Sequence, residues 1–339
     1  MKTALTDRLG LSFPLIQAPM AGTSTAELAA AVSNAGALGS IALGAIDAEA
    51  SRKAIRAVKA LTDRPFNVNL FCHAPIAADP ARDAAWIDSL RPIFAEFDAA
   101  PPERLNDIYQ SFLTDDAKLA VLVEERPAVV SVHFGLPRAD QIAALKAADC
   151  VLIASATTPE EGRAAVAAGF DMVIAQGVEA GGHRGTFIGR QEDATLTARE
   201  LWPAVVQAVS IPVIAAGGIM NGADIKAALA LGAKAVQMGT AFLVTEESGI
   251  HRAYKHRLID AEGQPTRLTR SFSGRYARGI ENRFMRQMAA SEAQVPPYPI
   301  QNALTGSIRA AAAKANDTEL MSLWAGANVA RARPVPAGP

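Results

Sequence analysis

Residues 178–185, VEAGGHRG, place His183 and Arg184 among three glycines directly after an acid. An imidazole near its ordinary pKa is a natural general base for a carbon acid at neutral pH, and glycines beside it leave room for a ligand. A second histidine, His133, ends the apolar run AVVSVHF. AAGGIMNG, with Gly217 and Gly218, and QMGTAF, with Gly239 and Thr240, have the features of a phosphate site. Glycine lets the backbone approach a phosphoryl group, and the amides of a following helix N-terminus carry partial positive charge toward it. The plainer readings are a tight strand-to-helix turn for the glycines and a helix-capping role for His183.

Gln17 and Gln176 end two apolar runs with amides that both donate and accept, which suits the edge of a planar heterocycle. A buried glutamine satisfying backbone groups is the simpler explanation of either. Pro19 and Met20 supply an apolar wall or ordinary core. His251 and His256 fall on the charged stretch HRAYKHRLID, a solvated face, and His73 opens a proline-rich loop. There is no CxxC, no HExxH and no carboxylate at ligand spacing from a histidine, so no metal centre is expected. Neither GxGxxG nor GxxxxGK[ST] occurs, which argues against a Rossmann or Walker-type site.

These residues need a scaffold that gathers them. Short apolar runs (LIQAPM, GSIAL, FNVNLFC, AVVSVHF, CVLIASA, MVIAQG, PVIAAGG, AVQMGT) alternate with Ala-rich stretches of helical period. Several of those helices open on Thr, Asp or Asn and close on Gly. Strands apolar along their whole length must be covered on both faces, which implies parallel strands with helical crossovers, and eight such units favour a (β/α)8 TIM barrel. Residues 1–72 and 111–244 are assigned to the barrel. A proline-rich insertion, 73–110, and residues 245–304, where the alternation stops, are read as a smaller substrate-side lobe. Residues 305–339 are read as a C-terminal helix and tail returning to the barrel, with the final ARARPVPAGP fraying.

The chain has 339 residues, half of them apolar, with 33 Lys and Arg against 34 Asp and Glu scattered along it. It can bury a large core, and nothing recommends a nucleic-acid or membrane partner. Cys72 and Cys150 sit in apolar runs, with no disulfide framework. With no signal-peptide h-region and no bilayer-length apolar run, a cytoplasmic protein is expected, a monomer or homodimer.

Together QAPMAG, NVNLF, SVHFG, AQGVEAGGHRG, AAGGIMNG and QMGTAF, in this order over residues 11–242, resemble the nitronate monooxygenases, formerly 2-nitropropane dioxygenases, of the class I branch. The resemblance implies an FMN-dependent barrel that oxidises alkyl nitronates such as propionate 3-nitronate with O2, releasing nitrite and leaving a carbonyl compound. By it, His183 matches the catalytic histidine, and His133, His183 and Tyr298 face the nitronate or nitroalkane. Gly217, Gly218, Gly239 and Thr240 match the FMN phosphate loops, with Gln237 and Met238 lining the approach. Asn69, Gln176 and the turn of Pro19, Met20, Ala21 and Gly22 match contacts to the flavin ring and ribityl chain, and Gly181 and Gly182 leave room beside it. Where some relatives carry a further tyrosine and a lysine, this chain has Asn302 and Gly306. Competing readings are an FMN-dependent NAD(P)H oxidoreductase (an enoyl-acyl carrier protein reductase or quinone reductase), a cofactor-free phosphometabolite barrel and a silent binding barrel.

Overall fold

A computed structural model describes residues 2–76, 79–97, 100–105 and 108–338. All eight expected strands form: β1 (Leu15–Gln17), β2 (Gly39–Ala42), β3 (Phe66–Phe71), β4 (Val129–His133), β5 (Val151–Ala156) and β6 (Met172–Gln176), then, past a short β7 (Gly182–His183), β8 (Val213–Ala216) and β9 (Ala235–Met238). They pair in parallel in the order β1-β9-β8-β6-β5-β4-β3-β2. The sheet ends meet where Gln17 N donates to Leu38 O and Leu38 N to Leu15 O, each at 2.9 Å. Gln17 then extends this seam with its side chain, whose Oε1 accepts from Ser40 N at 2.8 Å. Its Nε2 donates to Ser24 Oγ at 3.0 Å. The amide expected to suit a heterocycle therefore closes the barrel and holds the turn that follows β1.

The strand period of two separates the two faces. Val68, Leu70, Val130, Val132, Leu152 and Val173 point outward under the helices. Ile16, Val129, Val151, Ile153, Met172, Ile174 and Ile214 fill the barrel, with Leu5 of helix Ala4–Leu9 packed among them. Each such side chain contributes roughly 1.5–3 kcal/mol on burial. The helices between strands are started by side-chain caps from Thr25, Asp47, Asp115, Thr158 and Asn221. On the inner face of β2 to β4 polar side chains also pair, Asn67 Nδ2 donating to Ser40 Oγ at 3.1 Å and Asn69 Nδ2 to Ser131 Oγ at 2.9 Å.

A second core joins helix Pro80–Ala95, through Trp86, Leu90 and Phe94, to Phe272, Ile280, Phe284, Leu304 and Leu320 from the C-terminal region. Part of the insertion, at 77–78, 98–99 and 106–107, lies outside the described residues. The C-terminal region contains an antiparallel pair, β10 (Thr266–Thr269) and β11 (Ala277–Ile280), and β11 takes β7 on its other edge. Local pattern gave no sign of these strands, because Arg267, Arg278 and Gly279 interrupt any apolar alternation. Helix Ile300–Ala315 follows, and the chain then returns to the barrel rim. The end of the tail is docked: Ala337 N donates to both Glu247 carboxylate oxygens, at 3.2 and 3.1 Å. Among the described residues no helix is long and apolar enough to cross a membrane.

Candidate active site

The C-terminal ends of the barrel strands open into a cavity of about 690 Å³. Period two brings Asn69, His133, Ser155, Gln176 and Gln237 to its inner wall, one from each of β3, β4, β5, β6 and β9. Every residue that the sequence reading assigned to cofactor or substrate lines this cavity, Tyr298 and the Pro19–Gly22 turn included. Met238 differs from its neighbours in that its side chain belongs to the outer core.

His183 is fixed at both backbone and ring. β7 pairs with β11, His183 opposite Ala277 and Gly182 opposite Arg278. Its carbonyl accepts from Gln176 Nε2 at 2.9 Å and from His133 Nε2 at 3.1 Å. A carbonyl only accepts, so His133 carries its proton on Nε2, and Gln176 is occupied in holding the loop, its Oε1 accepting from Gly185 N at 2.8 Å. The His183 ring meets Ser273 Oγ through Nε2 at 2.8 Å. That hydroxyl donates to Arg275 O at 3.0 Å, so Nε2 is the donor to Ser273 and Nδ1 is left as the basic nitrogen. Phe134, Tyr298 and Trp324 surround the imidazole, with ring centroids 5.7, 6.0 and 5.4 Å away.

Phe134 sits at φ 72°, a left-handed conformation costly for a bulky residue. The Arg275 guanidinium covers its ring at 4.3 Å, and His133 lies against it at 4.6 Å. This enclosure explains the titration of both histidines. Burial, then the charges of His133, Arg275 and Arg309, pulls His183 down to about 3. Burial also outweighs the bond to the His183 backbone and pulls His133 down to about 4. Both rings are neutral near pH 7.

The charged neighbours of His183 build the loop. Arg184 is buried and donates to Gln176 O at 3.0 Å, Gly177 O at 2.6 Å and Ala194 O at 3.2 Å. Glu179 caps helix Ala198–Ala208, accepting from Ala198 N at 2.7 Å. The loop's far end is held by Glu161, a buried carboxylate that accepts from Ile188 N at 2.9 Å, from Phe187 N and from Thr157 Oγ1 at 2.8 Å.

Gly217 and Gly218 follow β8 at φ 117° and 71°, values an L side chain resists. They do not lead straight into a helix, as expected from the sequence. Three residues intervene before helix Gly222–Ala230, and the helix after β9, Thr240–Leu243, is a single turn. The returning tail shields these loops instead. Gly326 N donates to Thr240 Oγ1 at 2.9 Å, Ala327 N to Glu179 O at 2.9 Å, and Asn328 Nδ2 to Gly218 O at 2.6 Å.

Sequence reasoning missed Ser273, Trp324, Asn328, Arg275 and Glu161. Only SGR, a polar and glycine-bearing break in the C-terminal region, marked any of them.

The family model described as nitronate monooxygenase matches residues 2–338. A nitronate monooxygenase from Pseudomonas aeruginosa is 51% identical, covering 98% of this chain and 96% of its own length. One from Paraburkholderia phytofirmans is 48% identical over 99% and 92%. A solved nitroalkane oxidase from Streptomyces ansochromogenes superposes with a TM-score of 0.90 at 45% identity, covering 99% of this chain and 94% of that one. FabK from Thermotoga maritima gives 0.77 at 33%, over 99% and 93%.

Proposed function

The chain belongs to the nitronate monooxygenase family, and from that premise we propose that it uses FMN and O2 to oxidise alkyl nitronates of the propionate 3-nitronate type, releasing nitrite and leaving a carbonyl compound. The observation that carries this reading is His183: a neutral imidazole with Nε2 anchored and, among the described residues, no bond at Nδ1, on the wall of a cavity framed by glycine loops.

Three features support FMN in that cavity. The backbone approaches at Gly217 and Gly218, where left-handed φ disfavours side chains. Among the described residues the Gln237 Oε1 is buried without a partner, an acceptor suited to a ring N–H. The volume falls within the roughly 300–1,000 Å³ of ligand clefts. Gly217, Gly218, Gly239 and Thr240 would hold the phosphate; the Pro19–Gly22 turn, Asn69, Gln176, Gln237, Met238, Gly181 and Gly182 would border the ring and ribityl chain. When bound, FMN supplies the redox chemistry, accepting electrons from the nitronate and passing them to O2.

The protein's own groups manage charge and position. His183 Nδ1 takes the α-proton where a neutral nitroalkane is offered, and the imidazolium so formed balances the nitronate's negative charge. Ser273 keeps the ring in the tautomer that leaves Nδ1 basic. His133 and Gln176 grip the His183 carbonyl so that the ring cannot retreat, while Tyr298, Phe134 and Trp324 exclude water.

No Lys, Asp or Glu lies on the eight barrel strands, which disfavours a non-redox aldolase or epimerase. An FMN-dependent NAD(P)H oxidoreductase would take its electrons from a nicotinamide and pass them to an enoyl or quinone acceptor. Anaerobic mixing separates the two: propionate 3-nitronate is expected to bleach the flavin, and rapid bleaching by NADH or NADPH with none by the nitronate would overturn the proposal.

A further inference from the structure

The cavity wall also includes Tyr109, Asn302 and Arg309, with the Tyr109 ring 6.2 Å from that of Tyr298, which in turn lies 6.0 Å from the His183 ring. Arg309 lies on helix Ile300–Ala315 and is partly buried, and among the described residues it has no carboxylate within salt-bridge distance. Its hydrogen bonds all come from Nη2, to Asn302 O at 3.1 Å and Asn302 Oδ1 at 2.8 Å. Among the described residues Nε is buried without a partner. Asn302 is itself tied to the far wall, its Nδ2 donating to the Tyr109 hydroxyl at 2.9 Å.

Taking a guanidinium out of water is costly unless an anion compensates it. A cation held in place by its own helix, without an internal anion and bordering a ligand cavity, is arranged for an anion that arrives with the ligand. Gly306 contributes by having no side chain: a Cβ there would stand 3.9 Å from Arg309 Nη2, so nothing larger crowds the guanidinium one turn below. The charge of Arg309 also reaches His183, where it helps to keep the ring neutral, which sets the two groups across one cavity.

We propose that Arg309, aligned by Asn302 and Tyr109, is a specificity-determining residue that receives a carboxylate at the end of the substrate opposite the nitronate carbon. The assignment of the substrate as a nitronate rests on the function proposed above; the carboxylate subsite does not. Arginine suits this task because its charge is permanent and its N–H groups make charge-assisted hydrogen bonds to a carboxylate. A substrate with acidic groups at both ends is thereby held with one end at His183 and the other at Arg309. Uncharged nitronates of the same length lose that second anchor.

The test compares propionate 3-nitronate with propane 1-nitronate on the holoenzyme, wild type against Arg309→Met and Arg309→Lys. With Arg309→Met, kcat/KM for the carboxylated substrate is expected to fall roughly ten- to hundredfold, mostly through KM, the range for a lost charge-assisted hydrogen bond. The uncharged substrate should change by less than about twofold, a surface-sized effect. Arg309→Lys should recover part of the loss. Calorimetry with butyrate and butyramide reads the same subsite without turnover: only butyrate binding should weaken in Arg309→Met. Equal losses on both nitronates, or unchanged butyrate binding, would overturn the assignment. If wild type oxidised neither nitronate while butyrate binding still depended on Arg309, the carboxylate subsite would stand and the nitronate reading would fail.

Discussion

Two adjacent glycines in the His183 loop should respond very differently to the same added methyl group. A Cβ at Gly181 would lie 2.5 Å from Gly326 N and 2.6 Å from Ala325 C, both backbone atoms of the returning tail that cannot rotate aside. A Cβ at Gly182 would meet nothing within 4 Å, although its φ of 73° adds strain. Gly181→Ala must therefore push loop and tail apart by about an ångström, since unstrained carbon contacts begin near 3.5 Å. That motion breaks the three bonds from Gly326 N, Ala327 N and Asn328 Nδ2 that seat the tail on Thr240, Glu179 and Gly218. At about 1 kcal/mol each they amount to about 3 kcal/mol, on the order of a hundredfold in the population with the tail seated. If the seated tail completes the FMN phosphate site, the FMN dissociation constant rises by up to that factor. Gly182→Ala leaves the tail seated and should cost only about 1–2 kcal/mol of fold stability. Flavin-fluorescence titration of apoprotein, with thermal melts as control, reads both. Wild-type FMN affinity in Gly181→Ala would refute the role given to the tail.

Replacing His183 with Asn should leave the fold and FMN content intact but slow turnover of neutral nitroalkanes by about two to four orders of magnitude, the usual worth of a general base. Preformed nitronates should be affected far less, and steady-state kinetics with both forms would show a wrong base assignment as equal effects. The histidine pair also sets a pH limit on stability. Burial, supplemented by neighbouring positive charges, holds His183 at about 3 and His133 at about 4, below the ordinary 6.5. Between those values the unfolded chain binds protons that the folded chain refuses, so stability present above pH 6.5 is lost as pH falls toward 4. Melting temperature should drop between pH 7 and pH 5, and by less in His183→Asn; parallel drops would contradict this.

Much of the scaffold could be read locally. Most barrel strands are short apolar runs between a capped helix and a glycine-bearing loop, so strand, turn and helix declare themselves within about twenty residues. The glycine pair at Gly217 and Gly218 and the histidine loop were legible for the same reason. What joins distant segments was not. Ser273 meets His183 from ninety residues away, and Gly182 finds Arg278 across a similar interval, with no periodicity in either segment to announce the pairing. Gln17 and His133 were recognised as unusual, but their partners, Ser40 N and His183 O, are backbone atoms that leave no mark on side-chain pattern. Asn302 and Gly306 read as a gap in the substrate pocket until the structure brought Arg309 beside them.

The most direct test of the proposed chemistry is oxygen uptake by the FMN-loaded protein on addition of propionate 3-nitronate, with nitrite measured in the same sample. Oxygen consumption accompanied by matching nitrite release, and strongly reduced when Gly217 and Gly218, the proposed phosphate glycines, are replaced, is the expected result. Absence of both oxygen uptake and nitrite release, with flavin bound and the nitronate intact, would contradict it.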